Sequence, residues 1–261
     1  MMSDCTPQLD DATVSKQPRL MSMRRSLMIG AACAAVSMVT WATLPATAGA
    51  PAKVRAEYTF DSITNDTVVD SARRGHTLTI TGNYSRIAGP SSPAVSFAPI
   101  SRASTPHATD LNPAGREFAV TVVFRIASDT STLTDTPNMA QKGFWNDDAQ
   151  WKMQLKPDDA SVQCRFKGTL GARLLTSTVA GVDDNKWHTA TCWRSGTQVG
   201  VTVDGVDTSV TAATGDISNT RPMLIGAKSL TSSTDQFTGD VDYVAVATGD
   251  NAASVSRSAA P

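Results

Sequence analysis

From Arg55 onward, apolar and polar side chains alternate with a period of two, not with the three-to-four spacing of a helix. Phe118, Val120, Val122, Phe124 and Ile126 mark one face of a strand, and Ala119, Thr121, Val123 and Arg125 mark the other. Trp151, Met153 and Leu155 alternate with Gln150, Lys152 and Gln154; Val162, Cys164 and Phe166 alternate with Gln163 and Arg165. Further strands are expected over 55–60, 77–81, 94–97, 173–179, 187–194, 198–203, 222–225 and 240–247. Turn-forming residues separate them, at 62–66, Gly82-Asn83, 156–159, 183–185, Asp204-Gly205 and 214–220. Asp204-Gly205, set between Val203 and Val206, predicts a two-residue hairpin, because both positions tolerate the positive φ of a type I′ turn. No stretch keeps a helical period for more than two turns. Short strands at spacings of about ten residues describe an all-β fold, a two-sheet antiparallel β-sandwich.

The N-terminal part is organised differently. Arg24 and Arg25 precede an apolar run from Leu27 to Leu44, and small residues follow from Pro45 to Ala50. Basic, apolar and small-residue zones in that order read as a secretory signal, with cleavage after Ala48 preferred to cleavage after Ala50, where Pro51 would adjoin the scissile bond. The arginine pair suits both twin-arginine and general secretory export. The run is marginal for a bilayer of roughly 30 Å and no basic stop-transfer patch follows it, so no span is expected in the mature protein. The expected layout is therefore an extension and signal over 1–48, one domain over 49–248, and a flexible tail of small and polar residues over 249–261.

Charge and cysteine content narrow the function classes. The chain has 23 Lys+Arg against 24 Asp+Glu, a formal net charge of −1, which leaves no basic excess for nucleic-acid binding. Without residues 1–48 the counts are 19 and 21. Of the acidic residues only Glu57 and Glu117 are glutamates; the other 22 are aspartates. Cys5 and Cys33 leave with the signal, and the remaining Cys164 and Cys192 sit on the apolar phases of their strands. An even pair in an oxidising compartment favours one disulfide over two buried thiols, bridging either adjacent strands or the two sheets. Neither cysteine has a second cysteine or histidine at metal-ligand spacing.

An ordered set of short motifs carries a resemblance. Ala56-Glu57-Tyr58-Thr59-Phe60-Asp61, Trp187-His188-Thr189-Ala190-Thr191-Cys192, Val201-Thr202-Val203-Asp204-Gly205, Leu224-Ile225-Gly226 and 237–244 resemble laminin-G-like jelly rolls of the concanavalin A-like lectin and glucanase superfamily. Gln141-Lys142-Gly143 and the cysteine pair resemble a secreted actinobacterial subgroup. The resemblance implies a concanavalin A-like jelly roll and an extracellular role, as lectin, adhesion domain or glycosidase. The hydrolase branch would need a Glu-x-Asp-x-x-Glu strand, and Glu57 and Glu117 each stand without a carboxylate within three residues. A non-catalytic module is expected, a monomer that binds an extracellular polysaccharide or cell-surface glycan; the alternative is a protein-interaction or adhesion module that uses the sandwich rim.

Sugars present apolar C–H faces, so exposed aromatics flanked by short polar side chains are the candidate contacts. Trp151 shares the phase of Met153 and Leu155 and belongs to the core. Trp193 follows Thr189 and Thr191 on the polar phase, where it is either open to ligand or covered by a loop. Trp145, with Asn146, Asp147 and Asp148, lies in a turn-rich stretch. These five residues are the expected ligand contacts, in the loops and on the concave sheet. Asp242 shares the phase of Val244 and Val246, which turns a carboxylate inward. Relatives join their first and last strands through a structural calcium, and the resemblance places it at Asp61 and Asp242. The alternative is that Asp242 accepts hydrogen bonds from backbone amides, Trp187 or His188.

Overall fold

A strand with one apolar face is stable only when that face meets another, and the computed structural model of the chain pairs two such sheets face to face. It describes residues 51–126, 135–232 and 234–260. The segment 1–48, expected to carry a secretory signal, lies outside the described residues. The first strands are β1 (Lys53–Tyr58), β2 (Ile63–Thr64), β3 (Thr67–Val68), β4 (Leu78–Thr81), β5 (Tyr84–Ala88), β6 (Pro93–Phe97), β7 (Arg102–Thr105) and β8 (Phe118–Arg125). They continue as β9 (Asn138–Lys142), β10 (Gln150–Lys156), β11 (Ser161–Gly168), β12 (Gly171–Thr176), β13 (Trp187–Ser195), β14 (Gln198–Val203), β15 (Val206–Thr211), β16 (Met223–Ile225) and β17 (Gly239–Thr248). One sheet has eight strands, ordered β15-β14-β13-β8-β17-β6-β5 with β1 also paired to β17; the other has nine, ordered β12-β11-β10-β9-β16-β7-β4-β3-β2. The strand pairs are antiparallel, as the all-β reading requires.

The core is the meeting of the apolar phases. Phe118, Val120, Val122 and Phe124 of β8 pack with Trp151, Met153 and Leu155 of β10 and with Val162 and Phe166 of β11. Trp151 is buried, its ring 5.3 Å from that of Phe118. Cys164 on β11 is bonded to Cys192 on β13, with Cα atoms 5.5 Å apart. The bond joins the two sheets, which decides between the two connections left open by the sequence. Asp204 (φ 48°) and Gly205 (φ 83°) form the expected hairpin turn, with Val203 opposite Val206.

β2 and β3, two residues each, are too short for alternation to register, and three longer strands escaped the pattern for other physical reasons. β9, Asn-Met-Ala-Gln-Lys, sets its two apolar residues side by side, so no alternation marks it. β7 is built from Arg-Ala-Ser-Thr, too small and polar to signal a core face. β5 lies at a sheet edge and is largely exposed.

The C-terminal segment corrects the expectation of a tail. Residues Ala252–Ser258 form a helix, α1. Ala252 and Ser256 lie one turn apart and are buried; Ala252 meets Ala119 and Ala247 on the outer side of the eight-stranded sheet. Ser256 Oγ donates to Thr121 Oγ1 at 2.8 Å, and Thr121 Oγ1 lies 2.8 Å from Thr191 Oγ1. The small residues that read as linker are what lets the helix seat closely on the sheet. Among the described residues no helix is long and apolar enough to cross a membrane.

Candidate functional site

The polar phase of β10 does not face open solvent. Gln150, Lys152 and Gln154 are 1%, 5% and 3% exposed, although they point away from the core. Strand pairing explains how they are covered. Arg165, Lys152, Gln141 and Leu224 lie opposite one another across β11, β10, β9 and β16, forming a continuous row on the outer face of the nine-stranded sheet. Lys167 and Gln150 form a second row, and Gln163, Gln154 and Asn138 a third. At the normal spacing of strands, about 4.8 Å, long side chains in such rows lie along each other and exclude water. The hydrogen bonding is incomplete. Gln154 Nε2 donates to Gln163 Oε1 at 2.7 Å, but Gln154 Oε1, Gln141 Nε2, both amide atoms of Asn138 and Arg102 Nε are buried without partners. Buried polar groups are normally paired, and leaving one bare costs about 1–3 kcal/mol, so this concentration marks the face.

A cleft of about 370 Å³ opens onto these rows, lined by Gln141, Gln150 and Lys152 from the sheet, Phe144, Trp145 and Asn146 from the β9–β10 loop, and Lys228, Ser229 and Asp235 from a second loop. The loop carrying Trp145 is held at its base. Gly143 adopts φ 92°, and a Cβ there would sit 2.5 Å from the Ala149 carbonyl oxygen, so glycine is required. Asp147 Oδ2 accepts the Phe144 amide at 2.8 Å, while Arg221 reaches both carboxylate oxygens at 3.0 Å. These bonds hold the Asp147 carboxyl below its usual range, the Arg221 hydrogen bond acting most strongly. Beneath the loop, buried Lys142 donates to Asn112 Oδ1 at 2.7 Å and to the Asn219 carbonyl at 2.8 Å, and Asn219 Nδ2 donates to the Ala149 carbonyl at 3.1 Å. Burial pushes the Lys142 ammonium down to about 8. The tip that results is Trp145, 54% exposed, with the Arg165 guanidinium stacked 3.8 Å from its ring centre.

The charge of the cleft is uneven. Lys228 pairs with Asp235, and Arg221 with Asp147. Among the described residues, Lys152, Arg165, Lys167 and Arg102 of the same face have no carboxylate within ion-pair distance. Arg165 donates to Gln150 Oε1, and Lys167 to the Asp147 carbonyl at 2.6 Å. Burial pushes Lys152 down to about 8.

Of the five expected ligand contacts, Trp145 and Asn146 line this cleft; Asp147 shapes the loop, and Asp148 is exposed beside it. Trp193 is elsewhere. It lies on the outer side of the eight-stranded sheet, packed against Ala119, Ala247 and Ala253 of α1, with Nε1 donating to Thr202 Oγ1 at 3.1 Å. Its ring covers Gly200 so closely that a Cβ there would fall 2.2 Å from it. The two tryptophans do not form one site. Lys152, Arg165 and Gln141, absent from the expected set, do gather with Trp145.

Asp242 is buried as expected, at a β-bulge between Val241 and Tyr243. Neither carboxylate oxygen has a hydrogen-bond partner, so the hydrogen-bonded alternative is not found. His188 instead bonds Asp184 and Asp204, and Trp187 lies under Arg125. Desolvation, then the nearby Asp61 charge, pushes Asp242 up to about 6. A Cβ on Gly89 would fall 2.1 Å from Asp242 Oδ1, so glycine keeps that space open. Asp242 and Asp61 supply two carboxyls; among the described residues no group of three or more His, Cys, Asp or Glu stands together, so the remaining ligands of a hard cation would have to be other oxygens or water.

Comparison with known proteins agrees with this architecture. Residues 101–250 match a family model of laminin G type, described as Concanavalin A-like lectin/glucanases superfamily. No curated protein matches by sequence. Among solved structures, domain 4 of AbnA, an extracellular arabinanase from Geobacillus stearothermophilus, in complex with arabinotriose, aligns with TM-score 0.59 and 16% identity, covering 80% of this chain and 99% of that one. The binding domain of Paraclostridial Mosquitocidal Protein 1 aligns with TM-score 0.58 and 13% identity over 78% of this chain and 51% of that one. The botulinum neurotoxin serotype G binding domain gives 0.56 and 12%, over 78% and 50%. This chain thus spans about half the length of the toxin domains. At these identities the likeness is one of fold.

Proposed function

The chain belongs to the laminin G type of the concanavalin A-like lectin/glucanase superfamily, and from that premise we propose that it is a secreted, non-catalytic module that binds a saccharide in the Trp145 cleft. One observation carries this reading: an aromatic ring, 54% exposed and backed by Arg165, stands at the mouth of a cleft whose lining includes Gln141, with its amide nitrogen unpartnered. The ring offers a flat surface to sugar C–H groups. Gln141 Nε2 offers a sugar hydroxyl a donor that the protein leaves unused. An arabinotriose complex of a similarly folded domain supports the reading by analogy of fold. Retaining glycoside hydrolysis needs two carboxyls about 5–5.5 Å apart, whereas the carboxylate lining this cleft, Asp235, is held by Lys228.

The same proposal assigns Asp61 and Asp242 to a structural calcium, which would neutralise the buried carboxylate and stabilise the fold by binding it selectively. Secretion is supported by the disulfide and by the signal-like segment at 1–48. A glycan array tests the function. Binding to a defined saccharide should fall more than about tenfold, or 1.4 kcal/mol, in Trp145→Ala and persist in Trp193→Ala. Binding of no saccharide, with recovery of a specific protein partner, would replace this reading by the adhesion one.

A further inference from the structure

We infer that the saccharide taken by the Trp145 cleft is acidic, and that its negatively charged group is seated on Lys152; this deepens the saccharide reading and rests on it. Lys152 lies on the cleft floor in register between Arg165 and Gln141, and is 5% exposed. Its ammonium makes no hydrogen bond or ion pair among the described residues. The surroundings compensate it only in part: the Asp235 charge favours the ammonium, while burial, Lys228 and Arg165 oppose it. Asp235, the carboxylate lining the cleft, is engaged by Lys228 and by the Thr136 amide and hydroxyl, while Arg165 adds a second positive charge from the adjacent strand.

A charge on a largely buried side chain that makes no hydrogen bond or ion pair is costly to the fold. A fold that needed only packing at this position would be better served by an apolar side chain. An anionic substituent supplies the missing partner, and Gln141 Nε2, also unpartnered, adds a donor beside it. A carboxylate and a sulfate share this chemistry. Nucleic acid is disfavoured, because a net charge of −1 offers no extended basic surface for a phosphate backbone.

The test uses polygalacturonate oligosaccharides, the same oligosaccharides after carboxyl reduction, and sulfated and unsulfated dextran oligosaccharides, each titrated against wild type, Lys152→Met, Lys152→Arg and Lys186→Met. Lys186 is exposed in a turn outside the cleft and controls for general charge. Melting curves verify folding of each variant. The inference expects an acidic oligosaccharide to bind at least tenfold more tightly than its neutral counterpart. That preference should be lost in Lys152→Met, largely kept in Lys152→Arg and unchanged in Lys186→Met. Preference for the uronate or for the sulfate identifies the anion. Equal binding of acidic and neutral forms, still dependent on Trp145, would overturn the inference while leaving the saccharide reading intact. An acidic preference indifferent to Lys152→Met would overturn it too, and no saccharide binding of any kind would remove both.

Discussion

Replacing Lys152 by Met should stabilise the free protein at neutral pH, an unusual outcome for a buried position. The ammonium titrates near 10.5 when exposed, and burial brings it down to about 8. At about 1.4 kcal/mol per pH unit of difference, the folded state carries roughly 3 kcal/mol of charging penalty. Below pH 8 Lys152 is protonated in both folded and unfolded chains, so the whole penalty is present. Between 8 and 10.5 the unfolded chain holds a proton that the folded chain has released, and wild-type stability rises with pH from this group. Above 10.5 the penalty is gone. For a domain of this size, 1 kcal/mol corresponds to about 2–4 °C in Tm, so Lys152→Met should gain roughly 6–12 °C at pH 7 and progressively less as pH approaches 10.5. Thermal melts by circular dichroism at pH 7, 9 and 10.5 measure this. A lower Tm in the variant at pH 7, or a gain that does not diminish with pH, would refute the view that the Lys152 charge is only partly compensated.

Four further outcomes follow from the same structure. Alkylation of the native mature protein should add no label to Cys164 or Cys192, and replacing both by Ala should lower stability by about 3–4 kcal/mol, the chain-entropy value for a 28-residue loop. Calcium should raise the wild-type Tm and chelator should lower it, with neither effect in Asp242→Ala; an unchanged wild-type Tm would remove the metal from the account. Truncation after Asp250 should uncover Trp193, seen as red-shifted fluorescence absent from a truncated Trp193→Phe variant, and should reduce stability by about 2 kcal/mol or more through lost apolar cover. Gly200→Ala should force the Trp193 ring off β14 and destabilise by about 1–3 kcal/mol, the range for overpacking, and a neutral effect in melts would contradict the close approach.

The fold was legible wherever one face of a strand is apolar and the other polar. β8, β10, β11 and the Asp204-Gly205 hairpin could be read from residue order because their apolar and polar residues alternate, although burial covers both faces of these strands. β9 could not, since Met139 and Ala140 stand side by side and no alternation marks it. The site was half legible. Trp145 stands out as an aromatic among turn residues, but Lys152, Arg165 and Gln141 look like an ordinary solvent-facing phase, and only the register of four strands brings them together. Trp193 misled for the converse reason: its polar phase does face away from the core, but α1, invisible in a stretch of small residues, packs over it. The inward Asp242 was legible from the phase of Val244 and Val246, but the bulge beside it, between Val241 and Tyr243, is something no alternation rule reports.

The most direct test of the central claim is a crystal structure of the domain with the saccharide selected on the array. The account predicts a sugar ring stacked on Trp145, with an acidic substituent within hydrogen-bond distance of Lys152 Nζ and Gln141 Nε2. A saccharide bound beside Trp193 and α1, or at the sandwich rim with no contact to Trp145 or Lys152, would contradict it.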